Sequence, residues 1–95
     1  MTKDEFLNFL KENDIQYTDE VFDGRDGLIT LIYVKGSPVD IIAFNGEKKK
    51  YTPYLRVSHF GDRAGMAYTS QDGLVGWRTD EWIFEKCKEL GNTVL

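Results

Sequence analysis

The sequence predicts a single α+β domain in which an N-terminal and a C-terminal helix flank an antiparallel β-meander of five or six strands. Three observations support this fold. Apolar residues recur at helical spacing near both ends, the period changes to two between residues 15 and 77, and short turn sequences separate the alternating segments. Strands joined by such short turns cannot pair in parallel, since a parallel return needs a crossover of about a dozen residues. We expect both helices to pack on one face of the sheet.

The chain is long enough for one domain, residues 1–95, and too short for a second independent core. Hydrophobic residues make up 41% and aromatic residues 14%, which is enough to build a core without disulfides or metals. Charged residues at 29% can cover the outside, so the composition is that of a folded protein.

The first helix is predicted over about residues 3–12. Thr2 can accept a hydrogen bond from the backbone of Glu5, as in a capping box. The apolar face of this helix consists of Phe6, Phe9 and Leu10. Asn13 is expected to end the helix in the left-handed conformation.

The strands are predicted from alternation and turn chemistry. The candidate segments are residues 15–22, 28–34, 39–44, 47–51, 54–60, 66–69 and 74–77. Residues 28–34 are apolar at nearly every position, so this central strand is either covered on both faces or has an unusually apolar outer face. Asn45-Gly46 predicts a two-residue type I′ hairpin turn with both residues at positive φ. In residues 54–60, Leu55, Val57 and His59 share one face.

The second helix is predicted to begin after Thr79, which caps it, with Asp80 and Glu81 in the first turn. Its apolar face consists of Ile83, Cys87 and Leu90. Gly91 is expected to end it.

Cysteine content and hydropathy predict a cytoplasmic protein without a membrane partner. A single cysteine cannot form an internal disulfide, and the N-terminus lacks the apolar run of a signal peptide. The longest apolar stretches, such as Leu28–Val34, are far shorter than the ~20 residues that span a bilayer.

Charge is sorted along the chain. Residues 1–26 contain eight acidic and three basic residues, whereas residues 48–63 contain five basic residues and one acidic residue. Patches of opposite sign can orient a charged partner, although the net charge is −4. This sorting favours a binding function.

Catalytic equipment is sparse, which predicts that the chain is not an enzyme. His59 could act as a general base, but the spacing identifies no partner, and a histidine at the sheet surface explains it better. Cys87 lies on the apolar face of the second helix, where a buried thiol is expected rather than a nucleophile. One histidine and one cysteine do not suffice for a zinc site, and the acidic residues around Gly24 fit a solvated turn better than a calcium loop. No cofactor is predicted.

A basic aromatic segment is the main candidate binding site. Its residues are Lys48, Lys49, Lys50, Tyr51, Tyr54, Arg56 and Arg63. Lysines and aromatic rings together are typical of single-strand nucleic-acid platforms, while consecutive lysines after a hairpin also protect a sheet edge from aggregation. Trp82 lies beside the core stripe of the second helix and is either an exposed anchor or a residue packed at the core edge.

The function we expect is a non-catalytic protein–protein interaction or inhibitor module, of the kind that phages and other mobile elements encode, with an unidentified protein partner. The first alternative is a nucleic-acid-binding module that uses residues 48–63. The second is a small enzyme whose site the sequence does not reveal.

Overall fold

The computed structural model describes residues 1–25, 27–61 and 63–91, and within them the chain forms two helices and seven strands. The elements are α1 (Lys3–Glu12), β1 (Tyr17–Gly24), β2 (Gly27–Lys35), β3 (Val39–Ile42), β4 (Lys48–Tyr51), β5 (Tyr54–Phe60), β6 (Arg63–Thr69), β7 (Gly73–Trp77) and α2 (Asp80–Gly91). Among the described residues, no helix combines the length and hydropathy needed to cross a bilayer.

Five strands form an antiparallel meander in the order β1-β2-β5-β6-β7. The predicted α+β fold, with its terminal helices and antiparallel meander, is therefore confirmed. One feature differs from a continuous meander: β3 and β4 pair only with each other and form a separate two-stranded sheet. Pro38 and Pro53 flank this excursion and have no N–H to continue the ladder, while the N–H of Gly36 donates to the carbonyl of Pro53 and closes its base.

Both helices pack on one face of the five-stranded sheet, as expected. The buried residues of this layer are Phe6 and Leu10 from α1, Ile83, Cys87 and Leu90 from α2, and Ile32, Val34, Leu55, Val57 and Ala67 from the sheet. Burying each large side chain contributes about 1.5–3 kcal/mol, so this layer holds the fold together. Neither α1 nor α2 packs on the other face of the sheet.

The helix termini follow the predicted caps with one correction. The N–H of Glu5 donates to Oγ1 of Thr2, and the N–H of Trp82 donates to Oγ1 of Thr79, and the donor–acceptor distance is 3.2 Å in both bonds. The left-handed step after α1 lies at Asp14 (φ 54°) rather than at Asn13 (φ −102°). The side-chain amide of Asn13 instead donates to the carbonyl of Phe9, which also accepts from the backbone N–H of Asn13.

The prediction of a type I′ turn at Asn45-Gly46 is wrong. Only Gly46 has a positive φ, 86°, and its N–H donates to the carbonyl of Ala43. The side chain of Asn45 accepts a hydrogen bond from the N–H of Glu47. The hairpin therefore has a longer loop in which Gly46 adopts the left-handed conformation. Such loops are the next most common connection between antiparallel strands after the two-residue turns.

Candidate docking surface on the helix-free sheet face

The face of the five-stranded sheet opposite the helices, which we call the open face, is rich in aromatic and apolar side chains. Strand alternation and register place these residues on it: Phe22, Ile29, Leu31, Tyr33, Tyr54, Arg56, Phe60, Met66, Tyr68 and Trp77. The second interpretation of the central strand, an unusually apolar outer face, is therefore the correct one. Such a contiguous apolar face marks an interaction site more often than a solvated surface.

Three tyrosines from neighbouring strands, Tyr33, Tyr54 and Tyr68, form what we call the tyrosine row. The ring centroids of Tyr33 and Tyr54 are 5.9 Å apart, and those of Tyr54 and Tyr68 are 6.1 Å apart. The strand register explains the row. Arg56 on β5 pairs with Tyr33 on β2 and with Tyr68 on β6, so these tyrosines lie side by side across the sheet. The row lies at the end of the sheet where β2 ends and β5 begins.

Arg56 is held among these rings. Its guanidinium carbon lies 4.5 Å from the ring centroid of Tyr68, a cation–π contact. Its Nε atom is buried and makes no hydrogen bond to the described residues. The guanidinium therefore lies against the face of Tyr68, and its Nε–H is not used in a hydrogen bond within the described chain.

The hydroxyl group of Tyr54 remains neutral. Partial burial, aided by the neighbouring Tyr68, raises the pKa of Tyr54 above its usual value of 10.0, although Arg56 opposes the shift. The hydroxyl group of a neutral phenol can donate and accept hydrogen bonds while its ring makes apolar contacts. The row is thus suited to binding a mixed polar and apolar surface.

A second aromatic pair lies at the opposite end of the open face. The rings of Phe60 and Trp77 are 6.4 Å apart, and the guanidinium of Arg63 lies 5.4 Å from the Trp77 ring. Trp77 is 49% exposed and Phe60 is 40% exposed, which is unusual for large aromatic residues.

The open face is basic although the protein is acidic. Lys35, Arg56 and Arg63 lie on it by strand alternation, whereas Glu20 is the acidic residue that alternation places there among the described residues. The prevailing acidic charge therefore lies elsewhere, and the open face presents a positive surface to a partner.

Residues 39–51, which are β3, β4 and their connecting turn, form a projection that we call the arm. The radius of gyration is 14.3 Å, above the about 12 Å expected for a compact chain of this length, and the longest dimension is 44 Å. At the base of the arm, the hydroxyl groups of Tyr51 and Ser70 are hydrogen-bonded, and Ser70 also accepts from the N–H of Tyr54. The arm is therefore anchored beside the tyrosine row.

The structure distributes the predicted binding residues over three places. Tyr54, Arg56 and Arg63 lie on the open face, and Tyr51 lies at the base of the arm. Lys48, Lys49 and Lys50 are exposed along the arm, where Lys50 forms an ion pair with Asp40. Trp82 is half-buried against the core on the helix side, where Arg78 lies 5.6 Å from its ring. Core-edge packing is thus the correct interpretation of Trp82.

Five aromatic members of the open face were not among the predicted binding residues: Phe22, Tyr33, Phe60, Tyr68 and Trp77. Alternation within a strand shows which residues share a face, but it does not identify the neighbouring strands. The pairing of β2 with β5 across the inserted arm brings these residues together, and it depends on long-range register.

His59 is buried rather than at the sheet surface, so that prediction is wrong. It is 1% exposed on the helix side, and its ring centroid lies 5.8 Å from that of Phe6 on α1. Burial, followed by the positive charges of the N-terminus and Lys3, lowers its pKa from 6.5 to about 4, while the backbone of Thr2 opposes the shift. Both ring nitrogens are buried, and neither forms a hydrogen bond with the described residues. His59 is therefore a neutral core residue.

Cys87 is fully buried on α2, which confirms the expected burial. Burial raises the pKa of its thiol to about 12, so the reactive thiolate is not formed near neutral pH. His59 and Cys87 therefore have the protonation states of core residues.

Across residues 1–25, 27–61 and 63–91, no group of three or more histidine, cysteine, aspartate or glutamate side chains is placed to hold a metal ion. Comparisons with protein-family models, with characterised proteins and with solved structures found no match.

Proposed function

We propose that this chain is a non-catalytic protein-interaction module that docks through the tyrosine row onto a partner surface carrying carboxylates and apolar side chains. The observation that carries the proposal is the row itself: three tyrosines with Arg56 against Tyr68 on a sheet face without helices.

The residue types of the row are those that dominate binding energy at protein interfaces. Tyrosine, tryptophan and arginine are enriched among hot-spot residues, and tyrosine loses little conformational entropy on binding because it has two side-chain torsions. Contacts between the rings further restrict these side chains before a partner arrives. Such preorganisation favours affinity.

Charge supports an acidic partner. A carboxylate at the open face would be attracted to the guanidinium of Arg56, which lies against the Tyr68 ring, and could form a charge-assisted hydrogen bond with it. Lys35 on the same face would add to the attraction and increase the association rate.

Single-strand nucleic acid is a second candidate, favoured by one specific observation. Three rings side by side on an open sheet, with an arginine among them, can stack successive bases. Two features favour a protein instead: the sequence pI is 4.9, and aliphatic side chains such as Leu31 and Met66 fill the face between the aromatic groups.

Affinity capture from extracts of the source cells tests the proposal when it compares matched variants. Arg56→Glu removes the cation over Tyr68, and Lys88→Glu removes a cation that lies 5.9 Å from the Phe9 ring on the helix side. Quantitative mass spectrometry should find proteins retained by the wild type and by Lys88→Glu but depleted at least about tenfold by Arg56→Glu. Equal retention by all three proteins would contradict the proposal.

Titration of a fluorescent oligothymidine with the protein distinguishes nucleic-acid binding from protein docking. Protein docking predicts no saturable binding near physiological salt. Saturable binding that weakens steeply with salt and is lost in Arg56→Glu would instead identify the open face as a nucleic-acid surface.

A further inference from the structure

The arm exposes apolar side chains that the described chain does not cover. Phe44 at its tip is fully exposed, and Ile42 is 75% exposed. A two-stranded hairpin is marginally stable by itself in water and gains stability when its apolar side chains pack against another surface.

A pocket of about 340 Å³ lies at the end of the open face opposite the tyrosine row. It is lined by Arg25, Gly27, Leu28, Ile29, Phe60 and Gly61. A cavity of about 150 Å³ already accommodates a benzene ring, so the pocket has room for a phenylalanine side chain. Arg25 also offers a cation for the face of an inserted ring.

The arm and strand β1, the sheet edge beside the pocket, carry opposite charges, although Arg25 itself lines the pocket. Lys48 and Lys49 are exposed and form no ion pair with the described residues. Strand β1 is the sheet edge next to the pocket, and its exposed residues include Glu20 and Asp23. The basic arm of one molecule therefore complements the acidic edge of another.

We propose that the pocket is occupied by Phe44 of a second copy of this chain, in a dimer with two-fold symmetry. The arm leaves the sheet beside the Lys35–Tyr54 pair, whereas the pocket adjoins the Ile29–Phe60 pair. These pairs are about 20 Å apart along the strands, so the two ends of one molecule are well separated. A two-fold axis that sets two copies head to tail brings each arm to the pocket of the other copy and closes the assembly.

The exposed apolar area is sufficient for such a dimer. Among the described residues, the exposed large hydrophobic side chains near the proposed contact are Val39, Ile41, Ile42 and Phe44 on the arm, Leu28 and Phe60 at the pocket, and Val21 and Phe22 on β1. Together these eight expose on the order of 900 Å², compared with about 800 Å² per partner in a standard interface. Phe44 lies at the tip of the arm and is not a member of the tyrosine row, so Phe44→Ser tests dimerisation without altering the row.

Sedimentation velocity of the full chain tests the proposal. At ~100 µM the wild type should sediment as a dimer of the 11.0 kDa chain. Phe44→Ser should raise the dimer dissociation constant at least about tenfold, as loss of a central anchor does. Lys48→Glu with Lys49→Glu should do the same, whereas Lys11→Glu with Lys88→Glu, which changes the net charge equally on the helices, should not. Circular dichroism establishes that each variant is folded.

A charge exchange identifies the contact directly. Glu20→Lys with Asp23→Lys should produce a monomer, as should Lys48→Glu with Lys49→Glu. An equimolar mixture of these two proteins should form a heterodimer, because both arm–edge contacts then pair opposite charges.

A monomeric wild type, a dimer unaffected by Phe44→Ser, or a mixture that stays monomeric would overturn the proposal. A monomer that binds anionic lipid vesicles through Phe44 would also overturn it and identify a membrane as the occupant of the arm.

Discussion

Acidification should destabilise the fold through His59. The pKa of this side chain is about 4 in the folded protein and 6.5 in the unfolded chain, so the unfolded state binds more protons as the pH falls below 6.5. Stability is therefore complete above pH 6.5 and is lost progressively toward pH 4. With these two pKa values, proton linkage lowers the free energy of unfolding by about 2 kcal/mol at pH 5 and by about 3 kcal/mol once the pH is below 4.

His59→Leu isolates this effect from other acid-sensitive groups. The ring lies fully buried against Phe6, so leucine can occupy the site while the titration is removed. Urea unfolding at several pH values gives the free energy of unfolding for both proteins. The wild type should lose about 2 kcal/mol more than the variant between pH 7 and pH 5. An equal loss of unfolding free energy in the two proteins would refute the account of His59 burial. A titration of His59 near pH 6.5, measured by NMR, would refute it as well.

Three further outcomes are expected. Gly46→Val should increase amide exchange in the arm by about tenfold, since a left-handed conformation costs a side chain about 1–2 kcal/mol, while Glu47→Val, at an exposed position of the same turn without a positive φ, should change it little. Cys87 should react with DTNB only slowly until the protein is denatured, and rapid labelling would contradict its buried, protonated state. Thr79→Ala should cost about 1 kcal/mol in urea unfolding because α2 loses its cap, compared with no clear change for the exposed Thr52→Ala.

Local signals were sufficient for the elements and for the helix side of the sheet. The caps at Thr2 and Thr79, the apolar stripe that includes Cys87, and the alternation of Leu55 and Val57 each follow from neighbouring residues. These features depend on spacing of a few residues, which the sequence displays directly.

Features that depend on packing between distant segments were not predictable in the same way. His59 alternates with core residues, yet its burial requires Phe6 of α1, more than fifty positions away, to cover it. The tyrosine row requires β2 to pair with β5 across the arm, and nothing local to Tyr33 or Tyr68 indicates that register. Prolines around the arm gave a local signal for a bend, but not for a separate two-stranded sheet.

Site-specific photo-crosslinking in the source cells tests the docking surface most directly. A benzophenone amino acid would replace Tyr68 on the open face or, as the control, Glu85 on the exposed side of α2. Docking through the tyrosine row predicts a discrete protein adduct from position 68 that is absent from position 85, and that disappears when Arg56→Glu is added. An adduct formed only from position 85, or a nucleic-acid adduct from position 68, would contradict the proposed function.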